Sequence, residues 1–388
     1  MTPAARVQTA IELLDAVIAA ARDGGAAADV IATRFFKERR YAGSKDRRAI
    51  RDLAWTAIRR FGERPANGRA AMVALADGDG DLAALFTGEP RAPDAISASE
   101  PRAGGGPLPV WLMPLLDPRI DSAEGAALLE RAPLDLRINR ARAVGIELPE
   151  GEPLPAPLEG LRLPADTPLA DHPAMLAGAI EVQDAGSQWI AAACAARPGM
   201  TVIDLCAGGG GKTLALAAAM TNEGRLIACD TDRRRLSELS PRAARAGAAV
   251  ETRLLDPGRE AAALVDLEGS ADVVLVDAPC SGSGTWRRNP EARWRLSRDR
   301  LNRLLALQAH VLDVAAPLVR PGGVLVYAVC ALTSAEGEGQ VRAFIARHPR
   351  FVSEPVPVSA GRPAGAGIIL TPAHDATDGF FIARMRAG

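Results

Sequence analysis

The chain has 388 residues, 48% of them hydrophobic and 24% charged; that is enough apolar material for two or three folded domains, and it excludes a single small module or a globally disordered chain. Lys+Arg 46 against Asp+Glu 47 leaves a net charge of −1, which excludes a polycation that coats nucleic acid over its whole surface and leaves only local patches to consider. Five cysteines without CxxC spacing, beside four histidines, argue against a disulfide framework and against a metal centre, and no apolar run reaches the roughly 18 residues of a membrane span, so a cytoplasmic monomer with no metal and no membrane attachment is expected.

Over residues 9–21 apolar side chains recur at helical spacing (Ile11, Leu13, Leu14, Val17, Ile18), and Asp23-Gly24-Gly25 closes the helix. A second helix begins near Ala28. Between Arg34 and Arg64 eleven Lys/Arg stand against four Asp/Glu, with Phe35, Phe36, Tyr41, Trp55 and Phe61 interleaved. The stretch reads either as a solvated helical face over its own core aromatics or as a phosphate-binding face. Residues 76–109 are rich in Gly, Ala, Pro, Ser and Asp and read as a flexible linker with one helical turn. Two helical patterns follow, then a short strand at Asp135-Leu136-Arg137-Ile138-Asn139 and an irregular, proline-rich stretch over residues 149–173.

After Gln183 strands alternate with helices. Residues 201–205 run into a glycine loop and a helix over 214–220, while strands over 226–229, 250–255, 273–276 and 324–329 end at Asp230, Asp256, Asp277 and Cys330. The alternation predicts βαβ units and an α/β fold with a mainly parallel, doubly wound sheet, whose ligand sits outside the carboxyl ends of the strands. The expected domains are 1–75 (helical), 76–109 (linker), 110–180 (small linking subdomain) and 181–388 (α/β).

Asp204-Leu205-Cys206-Ala207-Gly208-Gly209-Gly210-Gly211-Lys212-Thr213 follows a strand and opens a helix, so its backbone amides can approach a ligand closely. A P-loop would need glycine where Cys206 stands. Asp230, 26 residues after Asp204, lies near the spacing at which an acid takes ribose hydroxyls. Asp277-Ala278-Pro279-Cys280-Ser281-Gly282-Ser283-Gly284 places an Asp and a Cys beyond a buried strand. The basic, Trp-containing segment 286–295 after it reads either as a solvated helix cap or as a nucleotide-facing loop. Cys330 ends a strand on the ligand side, where a thiol is either a nucleophile or a small structural hydrophobe.

Together these motifs resemble the RsmB/Sun/Fmu family of S-adenosylmethionine-dependent RNA cytosine-5 methyltransferases. Val182-Gln183-Asp184-Ala185-Gly186-Ser187-Gln188 is similar to the family's entry motif, DLCAGGGGKT to its cofactor loop DLCAAPGGKT, and DAPCSGSG to DAPCSGTG. The Tyr-Ala-Val-Cys of 327–330 stands where the family has Thr-Cys-Ser, and Thr377–Arg384 resembles its C-terminal strand. The stretch 41–48 resembles, more loosely, a NusB-like RNA-binding domain. The resemblance implies a Rossmann-like class I methyltransferase domain behind an all-α NusB-like domain and a small α/β subdomain. It further implies S-adenosyl-L-methionine as cofactor, held by Cys206, Ala207, Gly208, Gly209, Gly210, Gly211, Lys212, Asp230, Asp256 and Asp277. Cys330 would be the nucleophile at cytosine C6, Asp277 and Lys212 would bind the base, and Cys280 would assist release. The partner would be RNA, ribosomal RNA before tRNA.

Three departures stand out: Gly208-Gly209 for Ala-Pro, Val329 and Ala331 for the Thr and Ser beside the nucleophile, and no Asn in Glu336-Gly337-Glu338. Val329 and Ala331 motivate a rival reading, a non-catalytic RNA-binding or ribosome-assembly factor. A DNA cytosine methyltransferase would instead shift the nucleophile to Cys280.

Overall fold

The computed structural model describes all 388 residues and divides the chain into two compact units, residues 1–130 with 285–298, and residues 131–284 with 299–388. The first unit is helical. Helix α1 (Pro3–Arg22) starts at a Thr2 cap, with Pro3 in its first turn, and buries Val7, Leu13, Leu14, Val17 and Ile18, the apolar stripe that the sequence spacing predicts. Helices α2 (Ala28–Glu38), α3 (Ser44–Arg60) and α4 (Gly68–Ala76) pack around it. Asn67 caps α4 through the Ala70 N–H, and a Cβ at Gly68 would lie 2.3 Å from the Ile11 carbonyl oxygen, so only glycine lets α4 approach α1 there.

Residues 76–109 are not a flexible linker. Leu82 and Phe86 enter the helical core, the Ala103 N–H donates to the Ala70 carbonyl, and Arg69 pairs with Glu100. Small-residue composition concealed this, because two well-placed apolar side chains and backbone bonds suffice to fix the stretch. The helical unit accordingly extends to Glu130 instead of ending at residue 75.

The larger surprise is the segment 285–298, which joins this unit from more than 150 residues away. Its six-residue 3₁₀ helix Pro290–Arg295 supplies caps to three helices. The Arg293 guanidinium, almost fully buried, donates to the carbonyls of Ile58 and Arg59 in the last turn of α3 and to that of Pro107. Arg295 donates to Gly25 and Ala26, just past α1, and to Ala20 in its last turn. Glu291 accepts the N–H of Ala28, the first residue of α2, whose own cap position is an alanine. These are the orphan groups that every helix end leaves, satisfied here by distant side chains. Trp294 completes the core and donates Nε1–H to the Phe61 carbonyl at 2.7 Å. For Glu291 and residues 293–295 of this basic segment the structure shows a packing role instead of a nucleotide-facing one.

The second unit holds two sheets. The smaller is antiparallel in the order β2-β3-β1-β4, from β1 (Leu134–Ile138), β2 (Glu152–Pro153), β3 (Gly160–Leu163) and β4 (Ile180–Val182). The larger contains β5 (Thr201–Asp204), β6 (Arg225–Asp230), β7 (Glu251–Leu254), β8 (Ala271–Asp277), β9 (Val319–Val329), β10 (Phe351–Glu354), β11 (Arg362–Ala364), β12 (Gly367–Leu370) and β13 (Phe380–Ala387). Strands β9-β8-β5-β6-β7 run parallel, while β13, β12 and β11 continue antiparallel beyond β9, and β10 pairs with β13. Val, Ile, Leu and Ala dominate the buried central strands, as sheets covered on both faces require. The order reverses between β5 and β8, so the switch point where α/β sheets bind ligands lies at the end of β5. No helix is long and apolar enough to cross a membrane.

Candidate active site

The switch point opens into a cavity of about 650 Å³ lined by Cys206, Asp230, Leu255, Pro257, Asp277, Cys280 and Cys330, with Leu304, Leu307 and His310 from the helix Arg298–Ala315. Most of the strand-end groups read from the sequence thus face one space. Asp256 is the exception: it is exposed just past β7, and its neighbours Leu255 and Pro257, not its own side chain, line the cavity. No cluster of three or more His, Cys, Asp or Glu stands close enough to hold a metal ion.

The glycine loop runs from β5 into the helix Gly211–Ala219. Gly208 and Gly210 have φ of +53° and +83°, and a Cβ at 210 would lie 2.0 Å from Leu239, so glycine is required there twice over. The loop is tied down by the Ala207 N–H to the Cys229 carbonyl at 2.9 Å and the Gly208 N–H to Asp230 at 2.7 Å. The other Asp230 oxygen accepts the Asp232 N–H at 2.7 Å. Two backbone amides therefore hold this carboxylate in place, and each oxygen keeps a lone pair for a ligand in the cavity. Of the loop residues only Leu205 and Cys206 line the cavity directly; burial, with Asp204, Asp277 and Asp230 nearby, pushes the Cys206 thiol well above the usual cysteine range, which keeps it an uncharged wall group.

At the ends of β8 and β9 the reactive groups converge. The Cys280 and Cys330 sulfurs are 3.3 Å apart, and Lys212 Nζ donates to Asp277 Oδ2 at 2.6 Å. The neighbouring Cys330 sulfur first, and burial second, raise the Cys280 thiol well above its ordinary value, so Cys280 holds its proton. Burial alone would lower the Lys212 ammonium, but the Asp277 carboxylate outweighs it and the pKa is raised. The pair is charged, and Asp277 lines the cavity with the two thiols while Lys212 stands behind it, outside the lining. Of the other cysteines, burial pushes Cys229 up to about 12, and Cys194 is likewise raised by full burial.

Two residues that sequence reasoning passed over position Cys280. Glu336, fully buried, accepts from the Ser281 N–H at 2.7 Å, the Thr333 hydroxyl at 2.8 Å and Gln308 Nε2 at 3.1 Å. Gln308 Nε2 also donates to the Pro279 carbonyl at 3.0 Å, so the backbone on both sides of Cys280 is pinned. Glu336 carried a signal only as part of an acidic pair, and Gln308 carried none. Val329 and Ala331, the substituted neighbours of Cys330, are fully buried and do not line the cavity.

A family described as 16S rRNA methyltransferase RsmB/F matches residues 191–386, just over half of the chain. The chain is 35% identical over 301 residues to the Synechocystis sp. protein named "Probable ribosomal RNA small subunit methyltransferase B", covering 72% of this chain and 66% of that one. It is 41% identical over 236 residues to the ribosomal RNA small subunit methyltransferase B of Thermus thermophilus, covering 60% and 55%. It therefore spans less than two thirds of the length of these relatives. The crystal structure of PH0851 shares the fold across 99% of both chains, with a TM-score of 0.76 at 23% identity. With the doubly wound sheet, the glycine loop and the paired cysteines in place, the match settles the relationship: the chain belongs to the RsmB/F family of methyltransferases.

Proposed function

We propose that the protein transfers a methyl group from S-adenosyl-L-methionine to C5 of a cytidine in structured RNA, ribosomal RNA before tRNA, through a covalent bond between Cys330 and cytosine C6. The observation that carries this reading is the pair of thiols 3.3 Å apart at neighbouring strand ends, sharing one cavity with Asp277, which Lys212 pairs. The cavity suits the cofactor by its donor set: Asp230 for ribose hydroxyls, Leu255 and Pro257 as an apolar wall for a purine, and Asp277 at the inner end. When bound, the cofactor supplies an electrophilic methyl on a sulfonium.

Cytosine C5 is a poor nucleophile until a thiolate adds at C6. Cys330, in its thiolate form, bonds C6, and the π electrons move toward C5 and N3, where Asp277 and Lys212 hold the base edge and stabilise the developing charge. C5 then takes the methyl from the sulfonium of cofactor held at Asp230 and Asp277, the S–CH3 bond breaking as the C5–CH3 bond forms and S-adenosylhomocysteine leaving. Cys330 is now a thioether, no longer a thiol beside Cys280. Cys280 ionises to solvent, removes the C5 proton, and the electron pair restores the C5–C6 double bond as Cys330 leaves as a thiolate. RNA binding is supported by the helical unit, where Arg34, Lys37, Arg40, Lys45, Arg48 and Arg51 are exposed and Tyr41 is 69% exposed.

The non-catalytic rival rested on Val329 and Ala331, and both side chains lie outside the cavity. The deciding experiment is bisulfite sequencing of total RNA from a deletion strain, complemented by wild type or Cys330→Ala. Loss of one 5-methylcytidine that only the wild type restores supports the reading; an unchanged methylation pattern overturns it.

A further inference from the structure

The four-glycine loop has maximal backbone freedom, yet its carbonyls are gripped from one direction. Arg242, on the helix Arg233–Ala246, donates Nη1–H to the Gly209 carbonyl and Nη2–H to Glu181 at 2.8 Å. Glu181 lies on β4, is 5% exposed, and takes a second cation, Arg245, at 2.7 Å. Burial would raise this carboxyl, but the two guanidiniums hold it below the ordinary range. Two residues on, Gln183 donates to the Gly211 carbonyl at 3.3 Å while accepting from Arg137 at 2.9 Å. Both ends of the loop are thus indexed to the end of β4, Gly209 through a charged relay and Gly211 directly.

Position 209 shows why the relay is needed and why it fits. A Cβ there would stand 3.2 Å from Arg242 Nη1 and 3.5 Å from Glu238, tighter for the arginine than side chains comfortably allow. The φ of Gly209 is not positive and its N–H donates to no group, so nothing in the backbone asks for glycine. The crowding comes from the guanidinium.

We propose that Arg242, buttressed by Glu181, is a positioning residue that sets the shape of the cofactor loop, and that Gly209 is present to admit it. The inference rests on the reading of this loop as the S-adenosylmethionine cradle. Loss of the relay lets the loop sample conformations that bind cofactor poorly, so the apparent affinity falls by the fraction of chains in the competent shape while the chemistry of bound complexes is unchanged.

The test measures S-adenosylhomocysteine binding by calorimetry, with KM for S-adenosylmethionine and kcat alongside, for wild type, Arg242→Gln, Glu181→Gln, Gly209→Pro and the double variant Arg242→Gln/Gly209→Pro. Arg242→Gln should weaken binding about tenfold and raise KM with kcat held, and Glu181→Gln should follow in the same direction. Proline at 209 stiffens the loop by fixing φ. It should weaken binding when Arg242 is present, through crowding, and restore it in the double variant. A merely structural arginine would lower thermal stability without this crossover. Wild-type affinity in Arg242→Gln, or a double variant no better than the single, overturns the proposal. Asp230→Ala separates the underlying reading: if it too binds as wild type, the loop is not the cofactor cradle; if it loses binding while Arg242→Gln does not, only the relay is wrong.

Discussion

The Cys280 sulfur stands 3.3 Å from that of Cys330, one thiol kept protonated by its neighbour and by burial. The proposed mechanism gives the two thiols different steps. Cys330→Ala should abolish both methylation and any covalent adduct. Cys280→Ala should still attack and methylate but fail to release, accumulating an RNA–protein adduct that survives a denaturing gel when cofactor is present. An adduct trapped by Cys330→Ala would reverse the assignment.

Val329 pairs with Phe381 of β13 in register and is fully buried. Introducing the threonine of the family motif should therefore leave single-turnover rates unchanged. It should lower stability by about 1–3 kcal/mol, the range for a buried hydroxyl without a partner. A faster Val329→Thr enzyme would show that the hydroxyl reaches the thiolate.

Asp204 gives a pH dependence with a definite sign. Burial, opposed by the Thr213 hydroxyl, raises its pKa from the ordinary 3.8 to about 7. The folded chain then holds a proton that the unfolded chain has released, so this stabilising contribution is complete below pH 3.8 and is lost as pH rises to 7. At about 1.4 kcal/mol per pH unit, Asp204→Asn should stabilise the protein by roughly 2–3 kcal/mol more at about pH 8 than at about pH 5 in denaturant melts. Equal gains at both pH values would place an ionised carboxylate in the core.

Arg293 and Trp294 anchor the distant segment in the helical unit. Trp294→Ala should cost about 3–5 kcal/mol, as large buried truncations do, and Arg293→Met should leave the carbonyls of Ile58, Arg59 and Pro107 unserved. Both losses should appear as early melting of helical circular dichroism. For the same reason, removing residues 1–130 is a poor way to ask what they bind, because it strips the partners from Arg293, Trp294 and Arg295.

RNA binding is better probed on the exposed face. Replacing Arg34, Lys37 and Arg40 by Gln should weaken affinity for duplex RNA and reduce the slope of log K against log salt by about 0.9 for each phosphate no longer neutralised. An unchanged slope would show that this face is simply solvated.

Much of the α/β unit was legible in the sequence, because apolar runs that stop at Asp or Cys announce buried strands and their ligand-side ends. Strands β5, β6, β7 and β8 fall within two residues of their expected bounds. β9 begins earlier, at Val319, since Pro321-Gly322-Gly323 lies within the strand instead of preceding it. The same local signals misled over residues 286–295, where Arg and Trp look solvent-facing until the helix ends they cap are brought beside them. Asp256 misled by analogy with its neighbours at strand ends, though nothing in one sequence says which way a carboxylate turns. Gln308, Glu181 and Arg242 were invisible for a further reason: each acts on a backbone group of another segment, directly or through a partner, and such bonds leave no trace in composition or periodicity.

The capping segment also orders events in time. A ribosome that has finished the first 130 residues has made three helices whose end groups lack Glu291, Arg293 and Arg295, and it must add about 170 more residues before the whole capping segment is supplied. At roughly 5–20 residues per second, the helical unit waits on the order of ten to thirty seconds in an unfinished state. Its completion thereby marks that synthesis has passed the loop bearing Cys280, so a truncated product lacking that loop also lacks the caps of its helical unit.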